Sequence, residues 1–473
     1  MKDLRDFIAR CEEENVLHRI KSEVDWNLEL AHTAKLNEEK GGSCLLFENV
    51  KDYNIPVLTS AFATVKRLAI TLGLPTYYSL GDLSREWMKL SKNSVKPKVV
   101  DDGPVLENVV QGDKINVLDF PSPMFYPDDG GRYIGTSAYL VTEDPETGWT
   151  NLGTYRMQVF DEKRIGVQLL KGKHADLMLK QYKEMGKKMP AAIVIGGDPL
   201  ISLVASSTMP IQTDEYNVAG AIRGGAVEVI KSDFTGLTLP AHAEIIIEGE
   251  IDPDDLIEEG PFAEYTGYYS GSKGKDSPKV YLNAQRVMYR NNPIFWATAV
   301  GKPINDVNMI QSLTRIGTLW ADLEAMKIPG IKSVYIPPAS LGRFWAIVSV
   351  EQKYPGHSMQ VGTAVISTTT GSYGLKGVIV VDADIAADDW DRVMWALSVR
   401  YDPRRSTQII NRGRSTSLDP ALPINARDIT SRIIMDACTP YEWKEKPELV
   451  VPDKETVKKV QSRWKEFGLG EWK

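Results

Sequence analysis

Residues 243–271, AEIIIEGEIDPDDLIEEGPFAEYTGYYSG, decide how the chain is read. The β-branched run AEIIIEGEI at 243–251 reads as a strand. It belongs to a mainly β region over about 133–300, in which short β-branched runs alternate with turn residues and a hairpin-like pair surrounds Arg290-Asn-Asn-Pro293. Further along, the Gly260-Pro261 step fits no regular helix, so Glu259 and Glu264 flank a tight loop. Such a loop can aim both carboxylates into one space. Neighbouring carboxylates repel and burial raises their pKa values, which lets a glutamic acid keep a proton for delivery near neutral pH. Glutamates beside a turn also fit a solvated surface, and Glu258 is assigned there.

Upstream, Leu4, Phe7, Ile8 and Cys11 recur at helical spacing, and helical pattern returns at 27–39 and 63–73. The proline-rich DFPSPMFYP at 119–127 breaks any helix. An N-terminal α/β region is therefore expected over 1–120 and the β domain over 121–304. Inside the latter, one helix is predicted over 176–187, then the buried strand AAIVIGG and a second helix from Pro199. The segment 305–327 reads as a long linker helix with Ile310, Leu313, Ile316, Leu319 and Trp320 on one face. Beyond it, GVIVVDAD at 377–384 feeds a helix over 388–400, so 328–473 is expected to be an α/β domain ending in an amphipathic helix over 454–467. The fold class is mixed α/β.

At 473 residues the chain is long enough for two or three domains and a cleft between them. Hydrophobic residues at 42% and charged residues at 25% are globular proportions. A net charge of −7 argues against a duplex-binding stripe, so no nucleic-acid partner is expected. Cys11, Cys44 and Cys438 form no C-x-x-C pair, and the apolar runs are strand-sized. A soluble, cytoplasmic protein without a membrane partner is the expectation.

Other candidate groups are scattered. Asn151 and Arg156 in NLGTYR lie five apart, on opposite faces of a strand unless Gly153 permits a bulge or the strand runs between two ligands. Arg156 offers a planar fork for a carboxylate, and a structural ion pair is the competing reading. With Asn151, His174 and Glu215 offer mixed oxygen and nitrogen ligands for a divalent ion, although their spacing matches no local metal motif. The aspartates at 382, 384, 388, 389 and 391 lack the glycine and glutamate of a calcium loop, and Asp388 reads as a helix N-cap. GGDP at 196–199 matches no phosphate fingerprint and is read as a turn; Lys376 either reaches a phosphate or is solvated.

Taken in order, NLGTYR at 151–156, GKH at 172–174, DEY with AGAIRGG in 214–225, EGPFAEYTGYY at 259–269, KYPGH at 353–357 and KGVIVVD at 376–382 resemble the UbiD decarboxylase family along nearly the whole chain. The resemblance implies that the middle domain is a split β-barrel holding prenylated FMN, and that the C-terminal domain completes the cleft and carries homo-oligomer contacts in a dimer or hexamer. It implies Asn151, His174 and Glu215 as ligands of a divalent ion, manganese with potassium nearby, that grips the flavin phosphate. Arg156, Glu259 and Glu264 correspond to the catalytic trio, Lys376 to a lysine reaching the cofactor phosphate, and Ser206, Met209 and Pro210 to a loop lining the flavin. The implied activity is reversible decarboxylation or carboxylation of an aromatic or α,β-unsaturated acid through a covalent adduct with the flavin, with CO₂ as co-product and a flavin prenyltransferase supplying the cofactor. A metal-dependent hydrolase and a non-catalytic flavin-binding subunit of a larger carboxylase are the alternatives.

Overall fold

The computed structural model describes residues 1–270 and 278–470. Its centre is an eight-stranded sheet, and the reason is legible in its apolar runs. In Met189–Ile195 the side chains of Ala191, Ile193 and Ile195 join one hydrophobic core, while Ala192 and Val194 join another on the opposite face. Ile245–Glu258 repeats this, with Ile245 and Ile247 facing one core and Ile246 the other. A sheet covered on both faces needs continuous apolar strands rather than alternating ones. Burying each such side chain contributes roughly 1.5–3 kcal/mol.

Sheet order explains the position of the site. Along the main path, Thr150–Thr154 forms one end and Met157–Val159 the other, yet only Tyr155 and Arg156 separate them in the chain. Two intervening residues span at most about 11 Å, so the sheet must curl until its edges nearly meet. The result is a split barrel with Arg156 in the seam.

Two expectations need correction here. The segment 290–293 joins no hairpin: Pro278–Tyr289 stays in the large sheet, whereas Phe295–Trp296 pairs in parallel with Val57–Thr59 of a separate four-stranded N-terminal sheet. The proline-rich stretch does not bound the large sheet either, because Asn108–Gln111 already pairs with Pro278–Tyr289. Turn residues end a strand without saying where the next one pairs.

The linker helix is Asp306–Ala325, capped by Asn305, and it buries Ile310, Leu313, Ile316 and Leu319; Trp320 is only partly covered. Its fully buried Asp306 accepts hydrogen bonds from the Ala61 and Phe62 amides and the Thr298 hydroxyl, which ties the N-terminal region to the start of the helix. Leu80–Leu90, a helix that the sequence reading did not single out, packs along it, with Arg85 4.8 Å over the Trp320 ring.

The C-terminal domain is a five-stranded mixed sheet with His357–Ser367 and Trp390–Val399 as helices. In Gly377–Asp382, Ile379 and Val381 face the core holding Val393, while Val378 and Val380 face the core holding Val361. Asp389, not Asp388, caps the helix at Trp390, because the helix begins one residue later than the pattern implied. The tail helix Lys454–Ser462 buries no residue. No helix among the described residues is long and apolar enough to cross a membrane.

Leu313 is fully buried where the linker helix meets the principal core. Leu313→Ala is expected to cost about 2–5 kcal/mol and to lower the thermal midpoint, whereas Val460→Ala on the uncovered tail should change stability by no more than about 0.5 kcal/mol.

Candidate active site and metal centre

Arg156 lies between two strands rather than on one, which removes the difficulty of opposite faces. The ladder through Thr150–Thr154 runs without a bulge, and Gly153 serves another purpose: a Cβ there would come within 2.7 Å of the Tyr155 ring. The guanidinium meets Glu259 side-on, Nε donating to Oε1 at 2.8 Å and Nη2 to Oε2 at 2.6 Å. Its Nη1 donates to Glu264 Oε1 and to Ser270 Oγ, each at 2.6 Å. Side-chain exposure is 7% for Arg156, 1% for Glu259 and 12% for Glu264, so these charge-assisted bonds form almost without competing water.

The loop that carries the glutamates is held from several sides. Gln158 Oε1 accepts from the Gly260 amide at 2.9 Å while its Nε2 donates to the Gly130 carbonyl. The buried Tyr133 hydroxyl donates to Glu259 Oε1 at 3.0 Å, and Asp129 accepts from the Ala263 amide at 2.8 Å. Phe262–Ala263 then pairs with Tyr269–Ser270, closing a short hairpin that delivers Ser270 to Arg156. Gly267 turns this hairpin at φ +79°, and a Cβ there would meet the Lys302 side chain at 2.8 Å. Tyr133, Gln158, Asp129 and Ser270 were not singled out from sequence, since nothing local marks them.

Electrostatics separate the groups. Burial pushes the Glu264 carboxyl above the ordinary glutamate range, and Arg156 offsets only part of that. Burial works against the charge of Arg156, but Glu264 and Glu259 together raise its pKa further still. Burial also lifts Asp129 to about 6. Glu264 is thus a carboxyl able to hold a proton beside a permanent cation.

Five residues before Arg156, a second cluster forms. Asn151 Nδ2 lies 3.2 Å from His174 Nδ1 and donates to Glu215 Oε1 at 3.1 Å, while Glu215 Oε2 accepts from the Leu152 amide at 2.9 Å. His174 opens the helix His174–Glu184 and Glu215 the helix Glu215–Arg223, whose cap is Asp214. Trp149 stacks edge-on against His174 at 5.0 Å. Asn151 Oδ1 is buried with no hydrogen-bond partner, an arrangement costing about 1–3 kcal/mol unless something binds it. With a carboxylate and an imidazole beside that oxygen, the donor set fits a divalent cation. Burial pushes Glu215 up to about 8 and, together with Lys173, lowers His174.

The remaining sequence candidates have local partners of their own. Lys376 Nζ donates to the fully buried Asp419 at 2.6 Å, and its side chain stays partly exposed. The Ser206 hydroxyl bonds back to the Ser202 carbonyl, Met209 packs on the principal core and Pro210 is exposed. In GGDP, Asp198 caps Pro199–Ala205 and pairs with Arg223, in keeping with a turn that joins strand to helix.

Three family models match the chain: the N-terminal, Rift-related and C-terminal domains of 3-octaprenyl-4-hydroxybenzoate carboxy-lyase (UbiD), over residues 8–87, 98–303 and 308–437. An uncharacterised protein of Aquifex aeolicus is 33% identical, covering 99% of both chains. The vanillic acid decarboxylase ShVdcCD of Sedimentibacter hydroxybenzoicus, in open form, superposes with a TM-score of 0.88 at 30% identity over 99% of each chain. The UbiD-class enzyme HmfF of Pelotomaculum thermopropionicum, in complex with FMN, gives 0.86 at 27% identity over 97% of this chain and 99% of that one. An evolved dimeric form of HmfF in complex with prFMN gives 0.82 at 27%, over 96% and 97%.

A cation binding at Asn151, His174 and Glu215 must displace the proton that Glu215 carries below its raised pKa of about 8. Manganese titrated into metal-free protein should therefore release about one proton at pH 7 and far less at pH 9. Calorimetry in buffers of different ionisation enthalpy reads this directly, and a release that does not vary with pH would contradict the assignment.

Proposed function

The chain belongs to the UbiD carboxy-lyase family, and from that premise we propose that it catalyses reversible, non-oxidative decarboxylation of an aromatic or α,β-unsaturated carboxylic acid with prenylated FMN bound in its cleft. The observation that carries the reading is the engagement of Arg156 by Glu259 on one edge and Glu264 on the other. Asn151, His174 and Glu215 would hold a divalent ion, manganese in this proposal, to neutralise the phosphate of the cofactor, with potassium nearby. The segment 151–156 spans at most about 18 Å, so one elongated cofactor can touch both clusters. When bound, prenylated FMN supplies an electron sink for the carbon that loses CO₂.

The protein's own part follows from donor geometry. Glu259 uses both oxygens on Arg156, and Tyr133 adds a further bond to it, so Glu259 fixes the plane of the guanidinium. A substrate carboxylate is received at the Nη1 edge, which Glu264 and Ser270 share in this structure. Its arrival competes with Glu264 for that nitrogen and turns the glutamate toward the reacting carbon. As the bond to the carboxyl carbon breaks and CO₂ leaves, the Glu264 carboxyl gives its proton to the carbon; in carboxylation the carboxylate takes that proton back. The raised pKa of Glu264 suits this exchange.

The hydrolase alternative is disfavoured by the posture of Glu259, which is that of an orienting group rather than a base for water. Turnover by the isolated chain, loaded with cofactor, would exclude a non-catalytic subunit.

Glu264→Gln should keep flavin and manganese yet lose about 10²- to 10⁴-fold in turnover. The measurement is product formation and solvent deuterium incorporation across a panel of aromatic and unsaturated acids. Full activity in that variant would remove the proton-delivery role.

A further inference from the structure

The linker helix presents Gln311 and Arg315 four residues apart, hence on one face. Against that face docks the turn Leu341-Gly342, in which both residues are left-handed, at φ +65° and +62°. A Cβ on Gly342 would come within 2.6 Å of the Asn308 carbonyl and 2.7 Å of the Ser312 amide, so the turn is pressed onto the helix. Leucine adopts this conformation only where the surroundings impose it. The turn delivers Arg343, whose Nε donates to Gln311 Oε1 at 3.1 Å.

Arg343 lies 5.9 Å from the Tyr265 ring and 5.4 Å from the Tyr373 ring; Arg414 lies 4.7 Å from Tyr373. Arg315 interacts electrostatically with Arg343 and with both tyrosines, and Lys173 with Arg315, Arg343 and Arg414. Arg315 and Arg343 therefore meet beside Tyr265, the residue after Glu264, with Arg414 joined to them through Tyr373 and Lys173 through the arginines themselves. None forms an ion pair with a carboxylate among the described residues. Arg156, Arg286 and Arg290, all largely buried, have carboxylates, and Arg432 has backbone carbonyls. Arg315 is crowded enough that burial and Arg343 push its pKa down to about 9, yet water still reaches it, as expected of a cleft wall.

A half-buried guanidinium without a counter-charge is costly, and a cluster of like charges more so. We propose that Arg315 and Arg343, flanked by Arg414 and Lys173, receive a second anionic group on the substrate, a carboxylate or phosphate, so that the acid processed at Arg156 and Glu264 is at least a dianion. This rests on the decarboxylase reading above and adds the substrate class. The cofactor phosphate is the competing anion, but the divalent ion at Asn151, His174 and Glu215 already answers its charge.

The test uses full-length protein loaded with flavin and manganese and titrated with benzoate, isophthalate and terephthalate. One dicarboxylate should bind at least about tenfold more tightly than benzoate, the scale of one hydrogen bond to a charged group. Arg315→Gln and Arg343→Gln should each remove most of that preference while flavin content, manganese content and benzoate affinity stay constant. The thermal midpoint of Arg315→Gln should hold or rise, since an unpaired charge has been removed. Equal affinities in the wild type, a preference that survives both substitutions, or a falling midpoint would overturn the proposal. Loss of flavin in either variant would also overturn it, by assigning the cluster to the cofactor phosphate. Failure of the decarboxylase reading looks different: wild-type protein would take up no flavin, or bind none of the three acids, and this inference would fall with it.

Discussion

A charged guanidinium held almost out of water at the seam of a curled sheet is the constraint on which the site depends. Taking Arg156 and its carboxylates out of solvent is expensive, and only near-ideal geometry offsets the cost. That geometry has three sources. The sheet edges meet within two residues, so Arg156 cannot drift; Gln158 and Tyr133 fix the start of the glutamate loop; Asp129 and the small hairpin fix its end. Sheet closure, loop and ion pairs are one unit, and loosening any of them would leave a buried charge uncompensated.

Much of the fold was legible because periodicity reports burial. Leu4, Phe7, Ile8 and Cys11 are all buried in the helix Leu4–Glu13, and the apolar face of 305–327 is the face that meets the core. What periodicity does not report is partnership. Phe295–Trp296 looks like the return strand of a hairpin, but its partner is Val57–Thr59, more than two hundred residues earlier. The curl of the sheet was equally hidden from residue pattern alone, because the seam is made by strands at opposite ends of the sheet order.

The site shows the same division. Gly260-Pro261 between two glutamates announced a loop aimed at one space, and that space holds Arg156. Asn151, His174 and Glu215 were grouped on donor chemistry and the family resemblance strengthened the grouping; spacings of 23 and 64 residues from Asn151 carry no local signal. Lys376, which the same resemblance places at the cofactor phosphate, pairs with Asp419 in this structure. Arg315 and Arg343 were invisible for a different reason: an arginine is conspicuous only when its missing counter-charge can be seen, and that requires three segments in space.

In the proposed reaction the planar fork of Arg156, rather than its positive charge alone, sets the geometry. Arg156→Lys keeps the charge and removes the side-on fit to Glu259. On whichever acid the flavin-loaded wild type turns over fastest, the variant should lose at least about hundredfold in kcat/KM with flavin retained. Turnover close to that of the wild type would contradict it.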